Sequence, residues 1–221
     1  MSRREALWQL LFPPKCPFCG RVLDQPGVCP RCPKTLPWVE EGPRVLSGGL
    51  ACAAPLWYQE EVREAMLRFK FRSAADAAVP LGELLARCAA EHFAGDFDAV
   101  TWVPVSRQRL RQRGYDQARL LAEAACRVWG TEARALLRKT VHTPPQSSLQ
   151  DAAARRANVL GAFDALPEAA GRRVLLVDDI CTSGATLCEC ARVLRQAGAE
   201  AVMCAVVARA PKEAPGKMAN L

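Results

Sequence analysis

Two adjacent carboxylates followed by small hydroxyl and glycine residues, Asp178-Asp-Ile-Cys-Thr-Ser-Gly-Ala-Thr186, carry the most pointed chemistry in this chain. Thr182, Ser183, Gly184, Ala185 and Thr186 can wrap a phosphate with backbone N–H groups and hydroxyls, and Gly184 lets the backbone approach closely. A helix starting there would aim its positive end at the same phosphate. Asp178 and Asp179, just upstream, can accept hydrogen bonds from the 2- and 3-hydroxyls of a ribose whose 5-phosphate lies in the loop. A strand-to-helix turn with Thr182 or Ser183 as a simple cap would explain an isolated Thr-Ser-Gly. It leaves the carboxylates unexplained, because two of them at a sheet edge repel unless cations or hydroxyl donors meet them. The phosphate-binding Gly-x-x-x-x-Gly-Lys-Ser/Thr string and the dinucleotide fingerprint are absent. His92 and His142, the only histidines, stand beside no nucleophile, which argues against a hydrolase triad. Cys181, Cys188 and Cys190 read as structural small apolar residues.

A second group is basic. In Pro104-Val-Ser-Arg-Gln-Arg-Leu-Arg-Gln-Arg-Gly-Tyr-Asp-Gln117, Arg107, Arg109, Arg111 and Arg113 fall at every second position of what reads as a loop between a strand and a helix. If the strands are parallel, this loop shares the carboxyl edge with the Asp-Asp segment, where Arg107, Arg113 and the backbone at Gly114 could hold pyrophosphate. Read without that position, the run is a solvated basic turn.

The third group is metal-binding in type. Cys16-Pro-Phe-Cys19 and Cys29-Pro-Arg-Cys32 supply four thiolates in two knuckles, enough to enclose one tetrahedral structural zinc. A redox dithiol is the competitor, but paired knuckles in a segment with little core of its own favour metal. Phe18 and Trp38 are expected in the ribbon's small core, with base stacking as the other use.

These groups need elements to position them. Residues 3–12 predict a short apolar helix, and residues 13–44 a ribbon ending in the turn Glu40-Glu-Gly-Pro43. Then follow an apolar run over 51–58, helices over 62–69 and 81–93, a strand over 99–105 and a helix over 116–129. A buried strand at 173–177, a helix over 185–196 and a strand at 201–208 complete the pattern. Alternating strands and helices imply an α/β fold with a parallel sheet. The expected division is a helix and zinc ribbon over 1–44, an α/β domain over 45–210 and a flexible tail over 211–221.

With 221 residues, half of them apolar, the chain can bury one ordinary core and a small module. Its 11 cysteines, an odd number with no signal peptide in view, fit reduced thiols better than disulfides. No apolar run reaches the roughly 20 residues of a membrane span, so a cytoplasmic chain is expected. A formal charge of +7 favours anionic partners without choosing among them.

Asp178-Asp-Ile-Cys-Thr-Ser-Gly-Ala-Thr186 also resembles the signature of type I phosphoribosyltransferases. Arg113-Gly-Tyr-Asp-Gln117, with Leu67-Arg-Phe-Lys-Phe71, Arg138, Gln146, Leu149, Arg155, Asn158 and Phe163 in matching spacing, resembles the ComF competence-protein family over almost the whole chain. Asp116 stands where that family's string has Asn, and could repel a pyrophosphate or help hold magnesium. The resemblance implies the type I phosphoribosyltransferase fold with a hood near residues 140–158, preceded by a zinc ribbon. It further implies phosphoribosyl pyrophosphate bound with magnesium, Asp178 and Asp179 as catalytic carboxylates, and Lys70 and Arg155 as ligand contacts, for which surface charge is the alternative. Transfer of the phosphoribosyl group to an acceptor and a link to DNA uptake in natural competence are the functional expectations. The competing expectation is a non-catalytic accessory protein that binds single-stranded DNA or a DNA-translocating helicase.

Overall fold

The computed structural model describes residues 13–71, 75–141 and 157–211. The helix expected over 3–12, most of the hood segment with Gln146, Leu149, Arg155 and Arg156, and all of the tail after residue 211 lie outside the described residues. In chain order the elements are β1 (Arg44–Leu46), β2 (Leu50–Ala53), β3 (Leu56–Trp57), α1 (Glu60–Phe71), α2 (Ala78–Phe93), β4 (Ala99–Trp102) and α3 (Arg107–Arg113). There follow α4 (Gln117–Trp129), β5 (Leu137–Lys139), β6 (Phe163–Ala165), β7 (Arg173–Cys181), α5 (Ala185–Gln196) and β8 (Ala201–Arg209).

The main sheet has the order β1-β2-β8-β7-β4, with β3 also paired to β8. Its centre is parallel, as alternation of strands and helices requires, and β1 is added as an antiparallel edge strand. The apolar run over 51–58 is not one strand. Pro55, which has no N–H to give to a ladder, divides it, so that Cys52 pairs with Cys204 and Leu56 with Ala208. Similarly β4 stops at Trp102, short of Pro104, rather than running to 105. β7 runs past Val177 to Cys181 and carries both aspartates inside the strand.

The arginine run is a helix, not a loop. Ser106 Oγ accepts from Arg109 N at 3.4 Å as its cap, and Gly114, at φ 82°, closes it in the left-handed region. Arginine is a good helix former, and alternation at every second residue had suggested an irregular segment. The polar interval before β7 holds a hairpin stem instead, with Leu137 opposite Ala165.

Pleating of β7 and β8 sorts the core into two layers. Leu175, Val177, Met203, Ala205 and Val207 pack with Met66, Phe69, Leu81, Leu85 and Leu121 of α1, α2 and α4. Val174, Leu176, Val202, Cys204 and Val206 pack with Leu187, Cys190 and Leu194 of α5 and with Leu137 and Phe163 of the hairpin. Helices α2 and α4 meet at Gly82, where an added Cβ would lie 2.4 Å from Ala124 Cβ, so only glycine fits their contact.

The cysteine-bearing segment packs on α1. Phe18 and Leu36 join the cluster of Met66 and Phe69, and Arg68 donates to the carbonyls of Pro17 at 2.9 Å and Phe18 at 2.6 Å. Glu41 and Gly42, in the expected turn, are held by Arg209, whose guanidinium donates to Glu41 Oε2 and to the Gly42 carbonyl, each at 3.0 Å. No helix among the described residues is long and apolar enough to cross a membrane.

Candidate functional site

Consecutive residues of a strand face opposite sides of a sheet, so β7 sends its two carboxylates apart. Asp179 turns toward α1, where Lys70 Nζ lies 2.7 Å from its Oδ2. Asp178 turns toward the hairpin and α5, and its Oδ1 accepts from Asp179 N at 2.8 Å. Burial first, and the Asp179 charge second, push the Asp178 carboxyl well above the usual carboxylate range. The repulsion expected from the sequence is thus eased by pleat direction and by Lys70, and the remaining cost falls on Asp178.

Beyond Cys181 the chain turns through Thr182, Ser183 and Gly184 into α5. Unlike α3 and α4, this helix has glycine at its N-cap and so no capping side chain there, while Ala185 N donates to Ser183 Oγ at 3.4 Å. Gly184 has φ +75°, and a Cβ there would stand 2.9 Å from Leu46 Cδ1 of β1. Gly184→Ala is therefore expected to add left-handed strain of about 1–2 kcal/mol to this contact. Thermal melting should register the loss, and ribose 5-phosphate affinity measured by calorimetry should fall about tenfold. The Cys181 thiol is buried against Cys52, which with burial pushes its pKa up, in keeping with a structural role.

Asp178, Asp179, Thr182, Ser183, Gly184, Ala185 and Thr186 line one cavity of about 740 Å³. Lys70 reaches it from α1 and Arg113 from α3. Arg107 does not line it. One helical turn separates Arg109 from Arg113, and these two share the inward side, while Arg107 and Arg111 are exposed. Gly114 acts as the exposed closing residue of α3.

Sequence reasoning passed over three further groups. Gln117 is buried, lines the cavity, and its Nε2 has no hydrogen-bond partner among the described residues, as a donor awaiting a ligand oxygen would. Arg109 appeared in the basic run but not as a site residue. Burial and the neighbouring Arg113 lower its pKa, the mark of cations crowded where an anion belongs. Lys139, at the end of β5, lies 4.8 Å over the Phe163 ring, and burial followed by Arg109 lowers its pKa to about 8. Its charge is then full below pH 7 and lost as pH rises through 8. We expect ribose 5-phosphate affinity to fall several-fold between about pH 7 and 9, where the phosphate stays doubly ionised. Lys139→Met should flatten that profile; an unchanged profile would remove Lys139 from the site.

Asp116 has a structural task of its own. It caps α4, its Oδ2 accepting from Val105 N at 3.1 Å and its Oδ1 from Arg119 N at 3.3 Å, while burial raises its pKa. Asparagine caps helices about equally well, which gives a physical reason for either residue at this position.

The four knuckle cysteines converge. Their Sγ atoms lie within 4.8 Å of one another, with Cys16–Cys32 at 3.7 Å, Cys19–Cys29 at 3.6 Å and Cys29–Cys32 at 3.5 Å. Sulfurs bound tetrahedrally at roughly 2.3 Å stand about 3.8 Å apart, so the set fits zinc. Phe18 is 3% exposed and belongs to the core, whereas Trp38 is 39% exposed and donates to the Pro33 carbonyl at 2.8 Å.

Comparison with known proteins agrees with this geometry. Residues 117–219 match the family model of the phosphoribosyl transferase domain, and residues 7–62 that of the double zinc ribbon domain. Competence protein F of Haemophilus influenzae is 36% identical over 117 residues, 51% of this chain and 51% of that protein. Competence protein ComFC of Bacillus subtilis is 26% identical over 184 residues, 83% of this chain and 72% of that protein. The chain is thus similar to competence proteins of the ComF type. Its match spans about half the length of Competence protein F. Among solved structures, an allosteric regulatory enzyme of purine biosynthesis is 22% identical, with a TM-score of 0.43 over 63% of this chain and 29% of that one. The chain has the phosphoribosyltransferase fold with a cysteine cluster suited to structural zinc near its amino terminus. Of the residues matched to ComF by spacing, Arg138 pairs with Asp164 at 2.9 Å on the hairpin surface, and Phe163 is buried beside Lys139.

Proposed function

We propose that this ComF-like protein binds phosphoribosyl pyrophosphate with magnesium and transfers its phosphoribosyl group. The observation that carries this reading is the glycine-led α5 start at Gly184, closely after the strand-borne Asp178 and Asp179, in a cavity ringed by Lys70, Arg109, Arg113 and Lys139. The 5-phosphate takes the loop N–H groups, the ribose hydroxyls take the carboxylates, and the pyrophosphate takes the α3 side. Oxygen donors at Asp178 and Asp179 suit magnesium, which when bound would neutralise the departing pyrophosphate. In the free protein Lys70 neutralises the Asp179 carboxylate instead. Fixed charges placed this way lower the barrier to an oxocarbenium-like ribose without a histidine base. Calorimetric titration of the full chain with phosphoribosyl pyrophosphate, with and without magnesium, tests the reading; no heat of binding in either condition ends it.

A second reading is favoured by the outward side of α3. Arg107 and Arg111 are exposed and point away from the cavity, as phosphate-tracking residues of a competence accessory protein would, with single-stranded DNA or a DNA-translocating helicase as partner. Oligonucleotide binding that weakens steeply with salt and is lost in Arg107→Glu plus Arg111→Glu would support it. No binding at low salt would discard it.

A further inference from the structure

Resting on the ribose-phosphate reading of the cavity, we infer that Glu189 is a positioning residue, which clamps the β5–β6 hairpin to α5 and so sets Lys139 at a fixed place relative to the phosphate loop. Glu189 stands one helical turn beyond Ala185 and Thr186, which line the cavity, but does not line it itself. It is a carboxylate only 6% exposed, and such a group disfavours the fold unless its oxygens are met. Its Oε1 accepts from Gly161 N at 2.8 Å and from Arg192 Nη2 at 2.7 Å, and its Oε2 accepts from Arg192 Nε at 2.8 Å. Arg192 above all, opposed by burial and helped by the Gly161 N–H, keeps the carboxyl below its usual range and therefore charged. A pair with Arg192 alone needs no burial, since Arg192 lies on the exposed side of the helix. What the buried position adds is the backbone of Gly161.

That bond falls where the chain enters the second strand of the hairpin. Gly161, at φ 68°, lies inside a turn in which Ala162 N donates to the Val159 carbonyl at 3.1 Å, and Val159 lines the cavity. Thr140 N donates to the Ala162 carbonyl at 3.0 Å, and the next residue, Phe163, pairs with Lys139 and lies beneath its ammonium group. One hydrogen bond and one strand pair thus link Glu189 to Lys139. Helix α5 carries the phosphate loop at its start and this anchor about 6 Å further along its axis, so a single rigid element fixes both. Besides burial, Arg109 of α3, Cys190 of α5 and Asp178 of β7 act on the Lys139 charge in that seat. Freed from the seat, Lys139 would hydrate and titrate closer to an ordinary lysine.

Competitive labelling of the full chain with trace acetic anhydride across pH, read at Lys139 by peptide mass spectrometry, follows that titration without any ligand. Glu189→Ala, and the milder Glu189→Asp, which keeps the charge but falls short of Gly161, should raise the midpoint from about 8 by about one unit. Glu189→Gln keeps the reach and the acceptor without the charge, and should hold the native midpoint. Ribose 5-phosphate affinity at pH 7 should fall about tenfold in the Ala and Asp variants, as for one lost charge-assisted contact, and their affinity should no longer decline between pH 7 and 9. A general loosening of the fold would lower melting temperatures without moving the Lys139 midpoint of the folded chain. A native midpoint in Glu189→Asp, or in Glu189→Ala where that chain folds, would overturn the assignment, and so would a midpoint in Glu189→Gln that moves as far as in Glu189→Asp. Failure of the native chain to bind ribose 5-phosphate at any pH would instead end the underlying reading, while the labelling still decides what Glu189 holds.

Discussion

Replacing Asp178 and Asp179 together by alanine is expected to abolish binding of phosphoribosyl pyrophosphate, because both acceptors for the ribose hydroxyls disappear at once. The two single changes should differ in what they do to the fold. Asp178, half-buried and crowded by the Asp179 charge, has its carboxyl held well above the usual range, so Asp178→Asn should stabilise the ligand-free chain while weakening ligand. A gain of about 1 kcal/mol, or roughly 2–4 °C in melting temperature, is in proportion for a chain of this size. A carboxyl whose folded pKa is raised costs the fold nothing below its unfolded value near 4, and the cost grows as pH climbs toward the folded value. The advantage of Asn should therefore be absent near pH 3.5 and widest at neutral pH. Asp179→Asn should give no such gain, since it leaves Lys70 without the partner it holds at 2.7 Å. Melting curves of both variants across pH, with calorimetry for ligand, separate the outcomes; equal stability of the two would contradict the assignment of the burial cost to Asp178.

What could be read from the sequence divides along physical lines. Segments whose burial shows as long apolar runs or strict helical spacing, such as β7, α5 and β8, were legible because tertiary packing reinforces local pattern there. The Asp-Asp loop and the cysteine knuckles were legible because their chemistry is encoded in contiguous residues. The strands β5 and β6 were not, since three residues are too short to display a period and their pairing partners lie far apart in the chain. Helix α3 was misread as a loop because its polar run shows no apolar stripe, and that error also hid which arginines face inward. Arg109 follows from Arg113 only once a helix is known. Lys139 and the orphaned amide of Gln117 depend on how separate elements fold over one another, which spacing along one segment does not reveal.

Loss of zinc should propagate to the ligand cavity through α1. Cys29→Ser removes one of the four converging thiolates and should reduce bound zinc from one per chain to none, as counted by metal analysis. Without metal the knuckles have little core to hold them, so Phe18 leaves its place beside Met66 and Phe69, and Arg68 loses both carbonyl acceptors. Burial of a phenylalanine contributes about 2–3 kcal/mol and the two hydrogen bonds about 1 kcal/mol each. At roughly 2–4 °C per kcal/mol, the melting temperature should fall by about 10–15 °C. The effect on ligand follows from helical geometry. Arg68 and Phe69 grip the ribbon and the core, and the adjacent Lys70 reaches into the cavity to Asp179, so freeing one side of α1 loosens the other. Tyr115, whose hydroxyl donates to the Phe69 carbonyl, gives α1 a second hold that does not depend on zinc. Ribose 5-phosphate affinity should accordingly weaken in the zinc-free chain without vanishing. A zinc-free chain that melts as the native one does would show that the ribbon is tied to α1 too weakly to position Lys70.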